Sequence, residues 1–128
     1  MIKISKGLDL PISGSPTIAI SDEPKVSSVA LLSNDFIGMK PTMLVKEGET
    51  VKAGQKIFED KKNNGVYFTS PAGGIVKDIN RGDKRRFLSI EIDIKDTEEF
   101  VNFDMYDSVD QIKDCLIDSG LWNAFRTR

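Results

Sequence analysis

Turn signals cut residues 43–94 into short pieces, and that punctuation limits what the chain can fold into. Met43-Leu44-Val45 reads as a short strand, followed by Lys46-Glu47-Gly48-Glu49-Thr50-Val51-Lys52-Ala53-Gly54-Gln55 and then Ile57-Phe58. Gly48 and Gly54 flank Val51 at equal distance, a spacing that suits two tight turns framing one buried residue. Asn63-Asn64-Gly65 predicts a hairpin, because Asn and Gly tolerate the positive φ of a primed turn. Residues 66–69, 75–79 and 87–94 read as further strands, separated by Ser70-Pro71-Ala72-Gly73-Gly74 and Asn80-Arg81-Gly82-Asp83. Glu47-Gly48-Glu49 is echoed by Arg81-Gly82-Asp83, each ahead of a β run, which predicts a sandwich of two similar hairpin units.

The flanks read differently. Ile2 and Ile4 alternate with polar residues as a short edge strand, and Leu8 and Leu10 lead extended into Pro11. Ile18-Ala19-Ile20 is a second extended piece, and Val26 with residues 29–32 predicts a buried strand. Downstream, Ser108-Val109-Asp110-Gln111 is a capping box, with a hydroxyl N-cap and an amide three residues on. Val109, Ile112 and Leu116 fall on one helical stripe with Cys115 at its edge, and Gly120 suits a left-handed C-cap. Leu121, Trp122 and Phe125 follow at helical spacing. A Trp-bearing helical extension with nothing after it predicts that the chain is a fragment of a longer protein.

Composition removes whole chemistries. The 128 residues contain no His, so imidazole acid–base catalysis and His-ligated zinc or haem are excluded within them. Cys115 is the one cysteine, so no internal disulfide and no cysteine-ligated iron–sulfur cluster can form. Eighteen Lys and Arg against 20 Asp and Glu leave a formal charge of −2, a balance that points to neither nucleic acid nor anionic lipid as a main partner. No apolar run approaches the roughly 18 residues of a membrane span, so no transmembrane segment is expected.

The blocks Lys46–Gln55 and Ser70-Pro71-Ala72-Gly73-Gly74-Ile75-Val76 resemble the barrel-sandwich hybrid of biotinyl and lipoyl domains. Carrier domains present a modified lysine at the hairpin tip, often flanked by Met. Here the tip is Asn63-Asn64-Gly65, with Lys61 and Lys62 on its shoulder beside Glu59 and Asp60. The fold is matched and the handle is not, although a carrier swinging Lys62 stays open as an alternative.

A narrower resemblance runs along nearly the whole chain. Met1-Ile2-Lys3-Ile4, Lys6-Gly7-Leu8-Asp9-Leu10-Pro11-Ile12, Val29-Ala30-Leu31-Leu32, Gly38-Met39-Lys40-Pro41-Thr42-Met43, Phe58-Glu59-Asp60-Lys61-Lys62-Asn63, Gly120-Leu121-Trp122 and Arg126-Thr127-Arg128 occur in order. Together they resemble the N-terminal part of the NqrA family, one of the subunits of the bacterial Na+-translocating NADH:quinone reductase. A sibling family, the C-type electron-transport subunit of ferredoxin:NAD reductases, shares the module and stays open as a second alternative.

The resemblance implies a mainly β fold with a C-terminal helix (α+β). Residues 1–42 would be strands packing on or wrapping the module, 43–95 an unmodified barrel-sandwich hybrid, and 96–128 a linker and capped helix beginning an α/β domain. It implies a peripheral subunit on the cytoplasmic face of the bacterial inner membrane, beside the other subunits of a respiratory complex. Ubiquinone, NADH, flavins, iron–sulfur centre and Na+ would belong to the whole complex, with no cofactor bound by this chain and no catalytic residue in it. Apolar residues beside Gly38 could line a slot for a quinone, which singles out Phe36, Ile37 and Met39 as quinone or partner contacts. The plain reading of the same stretch is core, with Leu31 and Leu32 inside and Phe36 and Met39 capping them. Arg81, Lys84, Arg85 and Arg86 form a basic cluster at a turn, read as a rim for a partner or simply as a solvated hairpin end. Its glycines match neither a P-loop nor a dinucleotide fingerprint. Asp93, Asp96, Glu98 and Glu99 lack EF-hand spacing and read as a solubilising edge, so no metal site is expected.

Overall fold

A computed structural model describes residues 7, 12–20, 25–96, 99–104 and 108–125. The expected strand at residues 2–4 and the stretch 8–11 lie outside these, as do Glu98 and residues 126–128. Short turns force neighbouring strands to pair antiparallel, and two sheets result among the described residues. The larger runs β1 (Ser28–Leu32), β7 (Phe87–Ile94), β6 (Gly74–Arg81) and β3 (Thr50–Val51). The smaller runs β2 (Pro41–Met43), β4 (Lys56–Asp60) and β5 (Tyr67–Thr69). They enclose one core in which Val51, Ile57, Phe58, Val76, Ile90 and Ile92 are almost wholly buried. This is the mainly β fold that the turn punctuation predicts.

Val51 is buried between Gly48 and Gly54, both at φ +82°, so two left-handed turns do frame one core residue. Gly74 meets a different demand. A Cβ there would lie 2.1 Å from the backbone oxygen of Asp93, so only glycine lets β6 cross this closely to β7. In β4 a register shift between Lys56 and Phe58 breaks the alternation, and the consecutive Ile57 and Phe58 are both buried. Phe58 stacks on Phe68 at 4.7 Å between ring centroids and tilts against Phe87 at 5.4 Å.

Several expectations shift. Among the described residues the strand read as buried at residues 26–32 pairs only with β7, at the edge of the sheet, with Val29 and Leu31 half-buried and Leu32 exposed. One face of an edge strand meets the core, so its apolar run cannot all be inside. The run at 43–45 pairs two residues earlier, as β2. Residues 18–20, read as an extended piece, belong to neither sheet, and Ile18 and Ile20 are exposed. The hairpin at 63–65 exists but is not a two-residue primed turn, for only Gly65 takes a positive φ in its loop. Nor does the echo of Gly48 in Gly82 reach the backbone: Gly82 is extended at φ −96°, and Lys84 and Arg85 take the left-handed positions instead. The clean alternation expected of 87–94 changes phase, burying Phe87 and Ser89 and then Ile90 and Ile92. Register shifts in its pairing with β6 accompany the change.

Helix α1 (Val109–Asp118) starts on the predicted capping box. Ser108 Oγ accepts from the Gln111 N–H, and Gln111 Oε1 accepts from the Ser108 N–H, both at 3.3 Å. Gly120 follows at φ +76° and leads into a 3-10 turn, Leu121–Ala124. The expected stripe is only partly used, since Val109 and Ile112 stay exposed while Leu116 and Ile117 are half-buried. The C-terminal end of α1 docks on β4 and β5. Lys56 Nζ reaches Asp118 at 2.6 Å while lying 4.0 Å above the Tyr67 ring, and Thr69 Oγ1 donates to the Ser119 carbonyl at 3.3 Å. Trp122 packs against the core from this side.

Candidate functional site

A groove of about 540 Å3 opens where four chain segments meet at one end of the two sheets. Strand pairing dictates the meeting. Leu32 at the end of β1 pairs with Ser89, so the residues that follow it run beside the start of β7. Arg81 pairs with Phe87, which brings the β6–β7 turn to the same place. Pro41 pairs with Asp60, which adds the end of β4 with Lys61.

The apolar part comes from Phe36, Ile37, Met39, Pro41 and Phe87. Phe36 is half-buried, with its ring edge-on to Phe68 at 4.4 Å and to Phe58 at 6.4 Å between centroids. It therefore belongs both to the core and to the groove wall. Met39 is also half-buried on the core, whereas Ile37 is fully exposed, at 101% relative accessibility. The plain reading and the functional reading of this loop thus divide by residue: Phe36 and Met39 cap the core, and Ile37 does not.

The polar part is cationic. Lys40, Lys61, Arg81, Arg85 and Arg86 line the groove, and among the described residues no carboxylate does. None of these five side chains forms an ion pair among the described residues, where Lys52–Glu99, Lys56–Asp118 and Lys77–Asp93 are the pairs found. Lys84 does not line the groove, although it sits in the same turn. Lys84 and Arg85 take consecutive left-handed conformations at φ +54° and +63°, a strain of about 1–2 kcal/mol per residue. That strain turns the basic residues out around the hairpin end.

The loop carrying Phe36, Ile37 and Met39 is held by the β4–β5 hairpin. Gly38 turns at φ +77°, and its carbonyl accepts from Lys62 Nζ at 2.6 Å. Lys61 N–H donates to the Lys40 carbonyl at 2.8 Å. Asp60 is buried at the centre, accepting from the Lys40 N–H, the Lys62 N–H and Asn63 Nδ2 at 3.1, 3.1 and 2.6 Å. Burial alone would raise the pKa of its carboxyl, but the Asn63 hydrogen bond, the two backbone N–H groups and the nearby Lys62 charge together hold it below the ordinary 3.8. Lys62, the lysine a carrier would modify, is committed here to the Gly38 carbonyl.

Sequence reasoning singled out two separate clusters, and the fold joins all of Phe36, Ile37, Met39, Arg81, Arg85 and Arg86 in one groove. It missed Lys40 and Phe87 as wall residues and Asp60 as the tie beneath them. The Pro41–Asp60 pairing places Lys40 there, and no local pattern announces it. Asp60 had a local signal, since an Asp three residues before Asn63 suits a side-chain-capped turn. No group of His, Cys, Asp and Glu fit to hold a metal occurs among the described residues, and none of their helices is long and apolar enough to cross a membrane.

The chain as a whole is similar to known proteins. A family model described as the NqrA N-terminal barrel-sandwich hybrid domain matches residues 2–95. The A-type subunit of the Na(+)-translocating NADH-quinone reductase of Photorhabdus laumondii is 58% identical over the whole chain. The proteins of that name from Cellvibrio japonicus and Actinobacillus pleuropneumoniae are 51% and 50% identical, again over the whole chain. The chain spans 30% of the length of each of these relatives.

Proposed function

The chain belongs to the NqrA N-terminal barrel-sandwich hybrid family, and on that premise we propose that it is the N-terminal module of the NqrA subunit of a Na+-translocating NADH:quinone reductase. In this reading the parent protein is peripheral, on the cytoplasmic face of the bacterial inner membrane. It contributes to complex assembly and to the site of quinone reduction, with electron carriers supplied by neighbouring subunits. In the same reading residues 43–95 are the unmodified module, 1–42 a segment that packs on it or wraps it, and residues 96–128 a lead into a further domain.

The observation that carries the quinone assignment is the groove. A quinone needs an apolar wall for its ring and tail and a few polar anchors for its carbonyl oxygens. Phe36, Met39 and Phe87 offer the wall, Ile37 extends it outward, and the cations are donors at its edge. A cation at a quinone oxygen favours the negative charge that develops on reduction, so such a wall is better suited to the reduced than to the oxidised ligand. Arg81, Lys84, Arg85 and Arg86 form a rim at which a neighbouring partner surface approaches.

Photo-crosslinking with a quinone analogue in the assembled complex tests this. Label is expected within residues 31–39, and its absence there would sink the assignment. Phe36→Leu and Met39→Ala are expected to raise the KM for quinone several-fold, with smaller effects on NADH oxidation by an artificial acceptor. The carrier alternative predicts an added prosthetic mass on Lys61 or Lys62, and intact-mass measurement is expected to find none.

A further inference from the structure

A neutral quinone explains the apolar wall but not the number of unpaired cations around it. Among the described residues, five basic side chains line one groove that no carboxylate lines, on a chain whose net charge is −2. Beside them stands Ile37, fully exposed on a loop that Gly38, Lys62 and Asp60 hold in place. Leaving a large apolar side chain in water on a tied-down loop gains nothing for the fold. An apolar tip ringed by Lys and Arg is the arrangement that engages an anionic bilayer, because the tip enters the interface while the cations meet lipid phosphates.

We infer that this end of the module docks on an anionic phospholipid surface, with Ile37 inserted and Lys40, Lys61, Arg81 and Arg86 on the headgroups. The inference rests on the peripheral location proposed above and not on quinone binding. Guanidinium groups suit the lipid phosphates because their planar fork donates two parallel hydrogen bonds. The unpaired state of the cations matters here, since no internal salt bridge has to break on docking. An acidic protein surface would also satisfy the charges. It would not call for a lone aliphatic tip that no described residue covers.

The test uses the full-length protein with quinone-free vesicles of phosphatidylcholine, alone or mixed with phosphatidylglycerol. Preferential binding to the phosphatidylglycerol vesicles is expected, weakening as salt is raised. Each lysine or arginine near such a surface contributes about fivefold to partitioning. Arg81→Gln with Arg86→Gln should therefore lower binding by about 25-fold at low salt, and reversal of both to Glu by more. Ile37→Ser should lower it by about tenfold at low and high salt alike, the share expected of one buried aliphatic side chain. Ile37→Trp should show a blue shift of emission on adding the anionic vesicles, beyond that of Trp122 in the parent protein. Unchanged thermal melting of the variants separates lost docking from lost folding.

Equal binding to both vesicle types, an unshifted Ile37→Trp spectrum, or loss by charge reversal without loss by Ile37→Ser would each overturn the inference. Displacement by millimolar glycerol phosphate would also overturn it, identifying a soluble phosphate site. Because the vesicles hold no quinone, this outcome and that of the crosslinking experiment fail or succeed separately.

Discussion

At the scale of single residues, Asp60 has the most consequential environment. It accepts from Lys62 and Asn63 within its own hairpin and from the Lys40 N–H, which joins the end of β4 to the loop that carries Phe36, Ile37 and Met39. Asp60→Ala leaves two backbone N–H groups and the Asn63 amide without this acceptor, and a loss of about 2 kcal/mol is expected in denaturant unfolding. The sign of the pH effect follows from the lowered pKa. The folded state holds the proton less tightly than the unfolded chain, so the contribution of Asp60 is complete above the ordinary 3.8. It is lost as pH falls through the lower, folded value. Asp60→Asn should flatten that acid limb of the stability profile, and an unchanged limb would assign it to other carboxylates. Gly74 makes a purely steric prediction. Gly74→Ala drives a methyl into the Asp93 backbone oxygen, and a loss of at least about 2 kcal/mol is expected.

At the scale of elements, sheet and helix differ in how firmly they are held. Strands β6 and β7 are paired along most of their length and carry Val76, Ile90 and Ile92 into the core. Phe58 of β4 packs on both Phe68 and Phe87, so Phe58→Ala is expected to cost about 3–5 kcal/mol and to unfold the sheets together. Helix α1 rests on its C-terminal end alone, through Lys56–Asp118, Thr69–Ser119 and Trp122. Ser108→Ala removes the N-cap acceptor and should weaken the helix by about 1 kcal/mol. Amide exchange should then rise in residues 109–113 while β6 and β7 keep their protection. A matching rise in the sheet would show the two to be one cooperative unit.

At the scale of the whole molecule, the groove is a product of topology. Its walls come from the exit of β1, the entry to β2, the end of β4 and the β6–β7 turn, segments far apart in the chain. The Asp60–Lys40 bond matters to all of them, because with the Lys61–Lys40 and Lys62–Gly38 bonds it fixes the loop on which Ile37 stands. Asp60→Ala is therefore expected to reduce both quinone-analogue labelling of residues 31–39 and vesicle binding, although it touches neither ligand. Retained labelling with a destabilised fold would show that the loop keeps its shape without the tie.

The sequence by itself determined the local grammar. The Gly48–Val51–Gly54 framing, the hairpin at 63–65, the capping box at Ser108 and the absence of His-based chemistry all depend on residues close in the chain or on composition, so they are legible there. The two halves of the candidate site were legible as well, one apolar and one basic. Their union was not, because pairing of Leu32 with Ser89, Arg81 with Phe87 and Pro41 with Asp60 is a property of register across the sheets. Burial had the same limit: Phe36 and Ile37 are adjacent apolar residues, yet one closes the core and the other faces solvent. Only the tertiary structure decides that, since a side chain is buried by what packs over it and not by its own hydrophobicity.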